Sequence, residues 1–272
     1  MFSELSTWSR FTVLKDAERV ALAESIAAAL GSEYEATDRL AGEAGLCTVL
    51  HVPSDCEFVA VCGGSFEMEL SNADIEALSE VVNWTNSVAA FVKEQQRLAG
   101  PVHRVEVPPF LIGTNPIIDP VGGGFEEVDE GVNLQELAAM LAAAPSPMRL
   151  PSEAEFEYVS RAGGVDRFVD DCARVWQTQR IFRGINRWGI AGLTDGEWLA
   201  DAWHDNYDGA PNTAVAWDAS HGPGVFRGML RFGPEQDDEE LLYALAALRG
   251  KPAPNAVYRF RMAISLSDLT GQ

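Results

Sequence analysis

The sequence predicts an α+β domain in which short strands and capped helices lead into a long irregular C-terminal half, with a helical appendage at the N-terminus. Three observations carry this prediction. Runs rich in β-formers lie between residues 46 and 61 and between 102 and 112, helix-period segments end at glycine or proline, and the stretch after Val165 is dense in Trp, Gly and Asp without long periodic runs. A chain of 272 residues exceeds the usual single domain, but a compact α+β core absorbs it, so the expected division is a helical extension over 1–43 and a main domain over 44–272.

In chain order, residues 14–30 place Leu14, Ala17, Val20, Ala21, Leu22, Ile26 and Leu30 largely along one face at helical spacing, with Gly31 as the stop. A lone helix of this length is marginal, so docking on the main domain or on a partner is expected. Residues 46–52 and 57–61 read as a hairpin, and Gly63-Gly64 behind them as a tight turn or bulge. Residues 72–98 read as helix, with Asn72 as N-cap, Asp74 and Glu76 favoured by the dipole, Trp84 packed on its buried side and Gly100-Pro101 beyond the end. Residues 102–107 alternate as a strand until Pro108-Pro109 ends or displaces it, and 110–112 resume an extended apolar run. The Gly122-Gly123-Gly124 turn and an acidic loop over 126–130 precede a capping-box pair, Asn133 and Glu136, heading a helix over 134–144 that Pro145 and Pro147 close. Five of the seven tryptophans, Trp176, Trp188, Trp198, Trp203 and Trp217, fall in the irregular half, where large aromatics fill a loop-built core or line a pocket.

Composition narrows the classes of partner. Forty-one acidic against 20 basic side chains give a formal charge of −21, which repels nucleic-acid phosphates and anionic lipid and favours encounter with a basic protein. The N-terminus lacks a basic segment followed by an apolar run, and no stretch of about 18 apolar residues occurs, so a cytoplasmic protein with no membrane partner is expected. Cys47, Cys56, Cys62 and Cys172 show no C-x-x-C spacing and read as free, buried thiols. His51, His103, His204 and His221 are isolated, and neither a Walker-type loop nor a Gly-x-Ser-x-Gly elbow is present.

The most specific string is Met148-Arg149-Leu150-Pro151-Ser152-Glu153-Ala154-Glu155-Phe156-Glu157-Tyr158. Physically it is a well-capped helix: Pro151 fixes the approach, Ser152 caps, Glu155 completes the box, and Gly163-Gly164 supplies the stop. As a string it closely resembles the Arg-Leu-Pro-Thr-Glu-Ala-Glu-Trp-Glu-Tyr segment of the formylglycine-generating-enzyme (sulfatase-modifying-factor) family. Cys62-Gly63-Gly64-Ser65-Phe66-Glu67-Met68, Pro101-Val102-His103-Arg104-Val105, the block Asn186 to Trp198, Arg227-Gly228 and Tyr258-Arg259-Phe260-Arg261 are similar, in order, to further segments of that family. The resemblance covers about residues 46–265. It implies a C-type-lectin-related α+β fold with a small twisted sheet and much irregular structure.

Two departures shape the functional expectation. In catalytic members two cysteines shortly after Arg-Gly-Gly-Ser bind copper, and copper(I) requires soft thiolates. Here Arg227-Gly228-Met229-Leu230-Arg231 follows instead, and no cysteine occurs after Cys172. Aligned on Trp198, Gly196 and Leu199 stand where the family has calcium-binding Asn and Glu. Asp205-Asn206-Tyr207-Asp208-Gly209 reads as a turn.

The expectation is therefore a non-catalytic protein without metal or cofactor that binds a protein or peptide, possibly basic, through a pocket of Arg227, Arg231, Trp198, Trp203 and His204. A helix over 241–248, led by the acidic run 234–240, is expected on the rim. The alternative is a metal-dependent oxidative or modifying enzyme acting on a peptide through the same pocket. A structural subunit attached by the N-terminal helix is a third possibility. The oligomeric state is left open.

Overall fold

The computed structural model describes residues 2–81, 84–116, 131–167, 169, 186–194, 196–221, 223–228, 246–267 and 269. The architecture is mixed α+β with small antiparallel sheets. Strands β1 (Tyr34–Ala41), β2 (Leu46–His51), β3 (Cys56–Val61), β6 (Phe110–Gly113) and β10 (Ala263–Ser265) form a five-stranded sheet in the order β1-β2-β3-β6-β10. The β2–β3 hairpin matches its sequence pattern; its turn places Asp55 in the left-handed region. Strand β1 belongs to the first 43 residues yet pairs along β2 from Tyr34↔His51 to Ala41↔Leu46. Helix α2 (Asp16–Leu30) lies over this hairpin and buries Leu22, Ala23, Ile26 and Ala27, a narrow stripe at helical spacing. Ahead of it, Phe2, Leu5 and Phe11 of the short helix α1 (Trp8–Phe11) and its lead-in enter the same core.

Strands β4 (Gly64–Met68) and β5 (His103–Val107) form a separate pair. Pro108-Pro109 follows β5 at once and carries the chain from that ribbon into β6 of the large sheet, since proline cannot donate to a ladder. Gly64 opens β4 because Tyr158 Oη would lie 2.5 Å from any Cβ placed there. A third small sheet joins β7 (Glu197–Leu199), β8 (Val225–Arg227) and β9 (Arg249–Gly250).

The helical reading of 72–98 needs correction. Two helices occupy it, α3 (Asn72–Val81) and α4 (Asn86–Leu98). Thr85 Oγ1 accepts the Val88 N–H at 3.2 Å and so starts a new helix, while Trp84, expected to pack, is 43 % exposed between the two. The cap of α3 is Ser71, one residue earlier than expected: Ser71 Oγ accepts the Asp74 N–H, and Asp74 accepts the Ser71 N–H at 2.8 Å.

Helix α5 (Leu134–Ala143) carries the expected box. Asn133 Oδ1 accepts the Gln135 and Glu136 N–H groups, and Glu136 Oε2 accepts the Asn133 N–H at 2.8 Å. Asn133→Ala is expected to lower unfolding free energy by about 0.5–2 kcal/mol, read as a shift of the urea midpoint at unchanged slope. Helix α6 (Glu153–Ser160) is boxed by Ser152 and Glu155 as read from sequence, but all eight of its residues are buried, three glutamates among them. The left-handed turn that ends it begins at Ala162, at a φ of 45°, and continues through Gly163 and Gly164. Among the described residues no helix is long and apolar enough to cross a membrane.

Candidate functional site

Helix α6 divides two sites. On one side Glu153 and Glu157, one turn apart, meet guanidinium groups from β8, from β9 and from the C-terminal end of α6 itself. Arg227 of β8 is fully buried; its Nε lies 3.2 Å from Glu153 Oε1, its Nη1 2.7 Å from Glu157 Oε2, and its Nη2 donates to Tyr207 Oη at 2.7 Å. Tyr207 Oη in turn donates to Glu153 Oε1 at 2.7 Å. Arg249 of β9 brings Nε to 3.0 Å and Nη2 to 3.1 Å of the same Glu153, and its guanidinium carbon lies 4.1 Å from the Tyr207 ring centre and 4.7 Å from that of Trp203. Arg161, one turn beyond Glu157, binds Glu157 at 2.7 Å and Asp74 at 3.1 Å, and donates to the Glu69 carbonyl.

Glu69 has no such compensation. It is fully buried, and neither carboxyl oxygen has a hydrogen-bond partner; Arg227 Nη2 stands 4.0 Å away. Its backbone sits at a φ of 107°, a conformation that side chains rarely adopt and that stores strain. Burial, and then the neighbouring Glu157, push its carboxyl well above the ordinary carboxylate range, which favours its protonated form. Asp201, buried and accepting the Glu153 and Trp217 N–H groups at 2.7 and 2.8 Å, is pushed up to about 7 by burial and then by Glu153. Five carboxyls, Glu69, Asp74, Glu153, Glu157 and Asp201, thus surround three buried guanidiniums, with the half-exposed Arg167 3.7 Å from Asp74 at the margin.

The sequence-selected residues separate accordingly. Arg227 belongs to this buried network, so all its visible contacts are made within the protein. Trp198 is core: its Nε1 donates to Val132 O at 2.8 Å and its ring stands edge-on to Tyr258. Trp203 reaches the network only through Arg249. His204 stacks on Trp217 at 3.6 Å, with its ring nitrogens beside Ala202 O and Asp218 Oδ2, and is partly exposed. Arg231, Trp176, Cys172, the Gly122-Gly123-Gly124 turn, the acidic loop over 126–130 and the acidic run 234–240 lie outside the described residues, as does most of the helix expected over 241–248. Its last three residues, Ala246, Ala247 and Leu248, form a turn and extended chain entering β9.

On the other side of α6 a half-open groove of about 960 Å³ runs between Val107, Pro108, Pro109 and Phe110, the Leu141 end of α5, Met148 to Leu150, the loop 213–219, and Ser265 and Ser267 beyond β10. Its walls are mainly apolar. Arg149 crosses the floor, forked onto Glu155 at 2.7 Å by two bonds and donating to Ser265 Oγ. Asp201 links this groove to the ion network, because the Trp217 N–H it holds adjoins the groove wall at Ala216.

The fold has solved counterparts. PvdO from Pseudomonas aeruginosa matches with a TM-score of 0.54 at 20 % identity over 78 % of this chain and 95 % of that one. Treponema denticola variable protein 1 matches with a TM-score of 0.50 at 14 % identity over 86 % of this chain and 100 % of that one. At such identities these likenesses show a shared fold alone. No protein-family model matches the chain, and no curated protein matches it.

The copper of catalytic formylglycine-generating enzymes does not fit the described residues. The described cysteines, Cys47, Cys56 and Cys62, lie in or beside β2 and β3 and are buried. Burial raises the Cys47 thiol to about 11 and the Cys62 thiol to about 12. Among the described residues no group of three or more His, Cys, Asp or Glu is placed to hold a metal ion.

The residues that sequence reasoning missed are Glu69, Glu153, Glu157, Arg161 and Arg249 of the network, and Arg149 and Ser265 of the groove. One signal was legible: Glu153, Glu157 and Arg161 recur every four residues, as an ion-paired helix face does. Such a face is ordinarily solvated, and only the surrounding strands show that this one is buried.

Proposed function

We propose that this chain is a non-catalytic member of the formylglycine-generating-enzyme-like, C-type-lectin-related folds and that it binds a peptide segment of a basic protein partner in the groove beside α6. The observation that carries the reading is the groove itself: its volume and apolar walls suit a short extended segment, and the Arg149–Glu155 fork supplies a fixed polar floor. The charge of −21 favours encounter with a basic partner. A cytoplasmic setting is supported by the three free, buried thiols.

The test is selection of random linear peptides on the full-length chain, followed by calorimetry of the tightest one. Val215 lines the groove and is 70 % exposed, so Val215→Asp alters the wall without disturbing the core. It is expected to weaken the selected peptide at least about tenfold, equivalent to 1.4 kcal/mol. Equal affinity for both proteins, or no selectable peptide, would remove the groove as the binding site.

A further inference from the structure

The loop that walls the groove is fastened to the first turn of α6. At one end Ser152, the cap of that helix, donates its hydroxyl to Ala214 O at 2.9 Å while accepting the Glu155 N–H. Further along, the tie is a side chain from elsewhere in the chain: Asp201 Oδ1 accepts the Trp217 N–H at 2.8 Å, and Asp201 Oδ2 accepts the Glu153 N–H at 2.7 Å. One carboxylate thus spans the wall and the helix. Its own backbone is anchored too, since the Asp201 carbonyl accepts the Gly224 N–H and the Ala202 N–H donates to Trp217 O at 2.9 Å. Thr213, Ala214, Val215 and Ala216, which line the groove, run directly into Trp217.

Glu153, Glu155, Glu157 and Asp74 each meet a guanidinium, whereas the buried Asp201 carboxylate is held by two neutral amides. Ionised, it serves both amides, one with each oxygen. Proton uptake turns one oxygen into a hydroxyl that has to donate, and both groups it faces are themselves donors, so one amide loses its acceptor. The Glu153 N–H belongs to a helix fixed by its capping box and by Arg227 and Arg249, so the loop is the partner that yields. The backbone of Trp217 is then left with the bond from Ala202.

We propose that Asp201 is a proton-operated latch on the groove: ionised, it seats the wall loop 213–219 against α6 in the form that takes the peptide, and protonated it lets that wall go, so that affinity for the peptide falls on acidification. The charged groups around it are Glu153, which opposes the ionised form, and Arg227, which favours it. On the wall side the titratable neighbours are His204, stacked on Trp217, and Asp218, 3.0 Å from His204 Nε2. Burial and then Glu153 bring the Asp201 carboxyl to about 7, so the latched form is complete above neutrality and is lost below it. The proposal rests on the groove being the peptide site and adds what controls it.

The test is calorimetry with a selected peptide that lacks His and has both ends blocked. Wild type is expected to bind it about tenfold more weakly at about pH 6 than at about pH 8, the ratio that a single group titrating near 7 imposes. In buffers of different ionisation enthalpy, binding at about pH 6 is expected to release about one proton per complex. Asp201→Asn offers one acceptor and sets an amide NH2 against the other N–H, so it is expected to bind weakly at both pH values. His204→Gln is expected to keep the wild-type ratio. The Trp217 amide gives a reading without peptide: its protection against hydrogen exchange is expected to fall from about pH 8 to about pH 6. Equal affinity at both pH values with no proton released would overturn the latch and leave the peptide site standing, and so would a ratio that survives Asp201→Asn or disappears in His204→Gln. If Val215→Asp binds the peptide normally, the peptide site falls, and Trp217 protection that stays level between the two pH values then removes the latch as well.

Discussion

Arg227→Ala is expected to destabilise the protein by about 3–5 kcal/mol, a large share of the 5–15 kcal/mol that holds a typical domain together. The reason is what the substitution leaves behind. Glu153 and Glu157 keep their place on a fully buried helix and lose the guanidinium that touches both, and Tyr207 Oη loses the donor at 2.7 Å. Glu153 still has Arg249 and Glu157 still has Arg161, so the loss is one of charge balance and not of every contact. Arg227→Lys keeps the charge without the fork and is expected to fall between alanine and wild type. Urea unfolding followed by tryptophan fluorescence reads all three proteins. A midpoint for Arg227→Ala within experimental error of wild type would show that the cluster is neutralised by other means, most simply by proton uptake, and the burial argument would fail.

The second large effect concerns pH. Glu69 is expected to make the folded state less stable as pH rises, and Glu69→Gln to remove that dependence. Below about pH 4, the ordinary range of a Glu carboxyl, folded and unfolded chains both hold the proton and its contribution is fully present. Above it the unfolded chain releases the proton while the folded chain retains it, so stability declines until the raised folded value is passed. The groups that set this are Glu157 and Glu153 of α6, which oppose the charge, and Arg227 and Arg249 of the third sheet, which favour it. Asp201 adds a decline of the same sign that ends near pH 7, where its own folded value lies. The Glu69→Gln comparison separates the contribution of Glu69 from that of Asp201 and of the raised Cys47 and Cys62 thiols. Comparing wild type and Glu69→Gln in urea at about pH 5 and about pH 8, the variant is expected to gain stability relative to wild type at the higher pH. Parallel curves would mean that Glu69 is ionised and served by a group not visible among its present neighbours.

Much of the fold was legible because its signals are local. Capping boxes at Asn133 and Ser152, the Pro108-Pro109 displacement and the β2–β3 hairpin each occupy a few consecutive residues, and physics acting at that range fixes them. The break at Thr85 was misread because the helical period continues across it; a threonine is as ordinary inside a helix as it is at a cap until its hydroxyl is seen to accept. The role of β1 was hidden for a different reason. Residues 34–41 mix Glu, Asp and Arg with apolar positions, as suits a sheet edge with one face partly wet, and this pattern is weaker than that of a central strand.

The site was less legible than the fold. Arg227 was selected as a ligand contact because arginine beside aromatics grips carboxylates, and it does grip carboxylates, those of Glu153 and Glu157 in the same chain. Glu69 gave no signal at all: its strain and isolation arise from residues that are 84, 88 and 158 positions distant, Glu153, Glu157 and Arg227.

The strand order also sets the timing of synthesis. The β2–β3 hairpin can close early, but β6 must wait for β10, which is made roughly 150 residues later, about 8–30 s at 5–20 residues per second. Throughout that interval Phe110, Leu111 and Ile112 present an apolar strand with one unpaired edge on a nascent chain. A ribosome-bound fragment ending before Ala263 thus displays its stickiest surface at the moment when many copies grow side by side on one message, and holding that edge apart becomes a task for the chaperones that meet the chain at the exit tunnel.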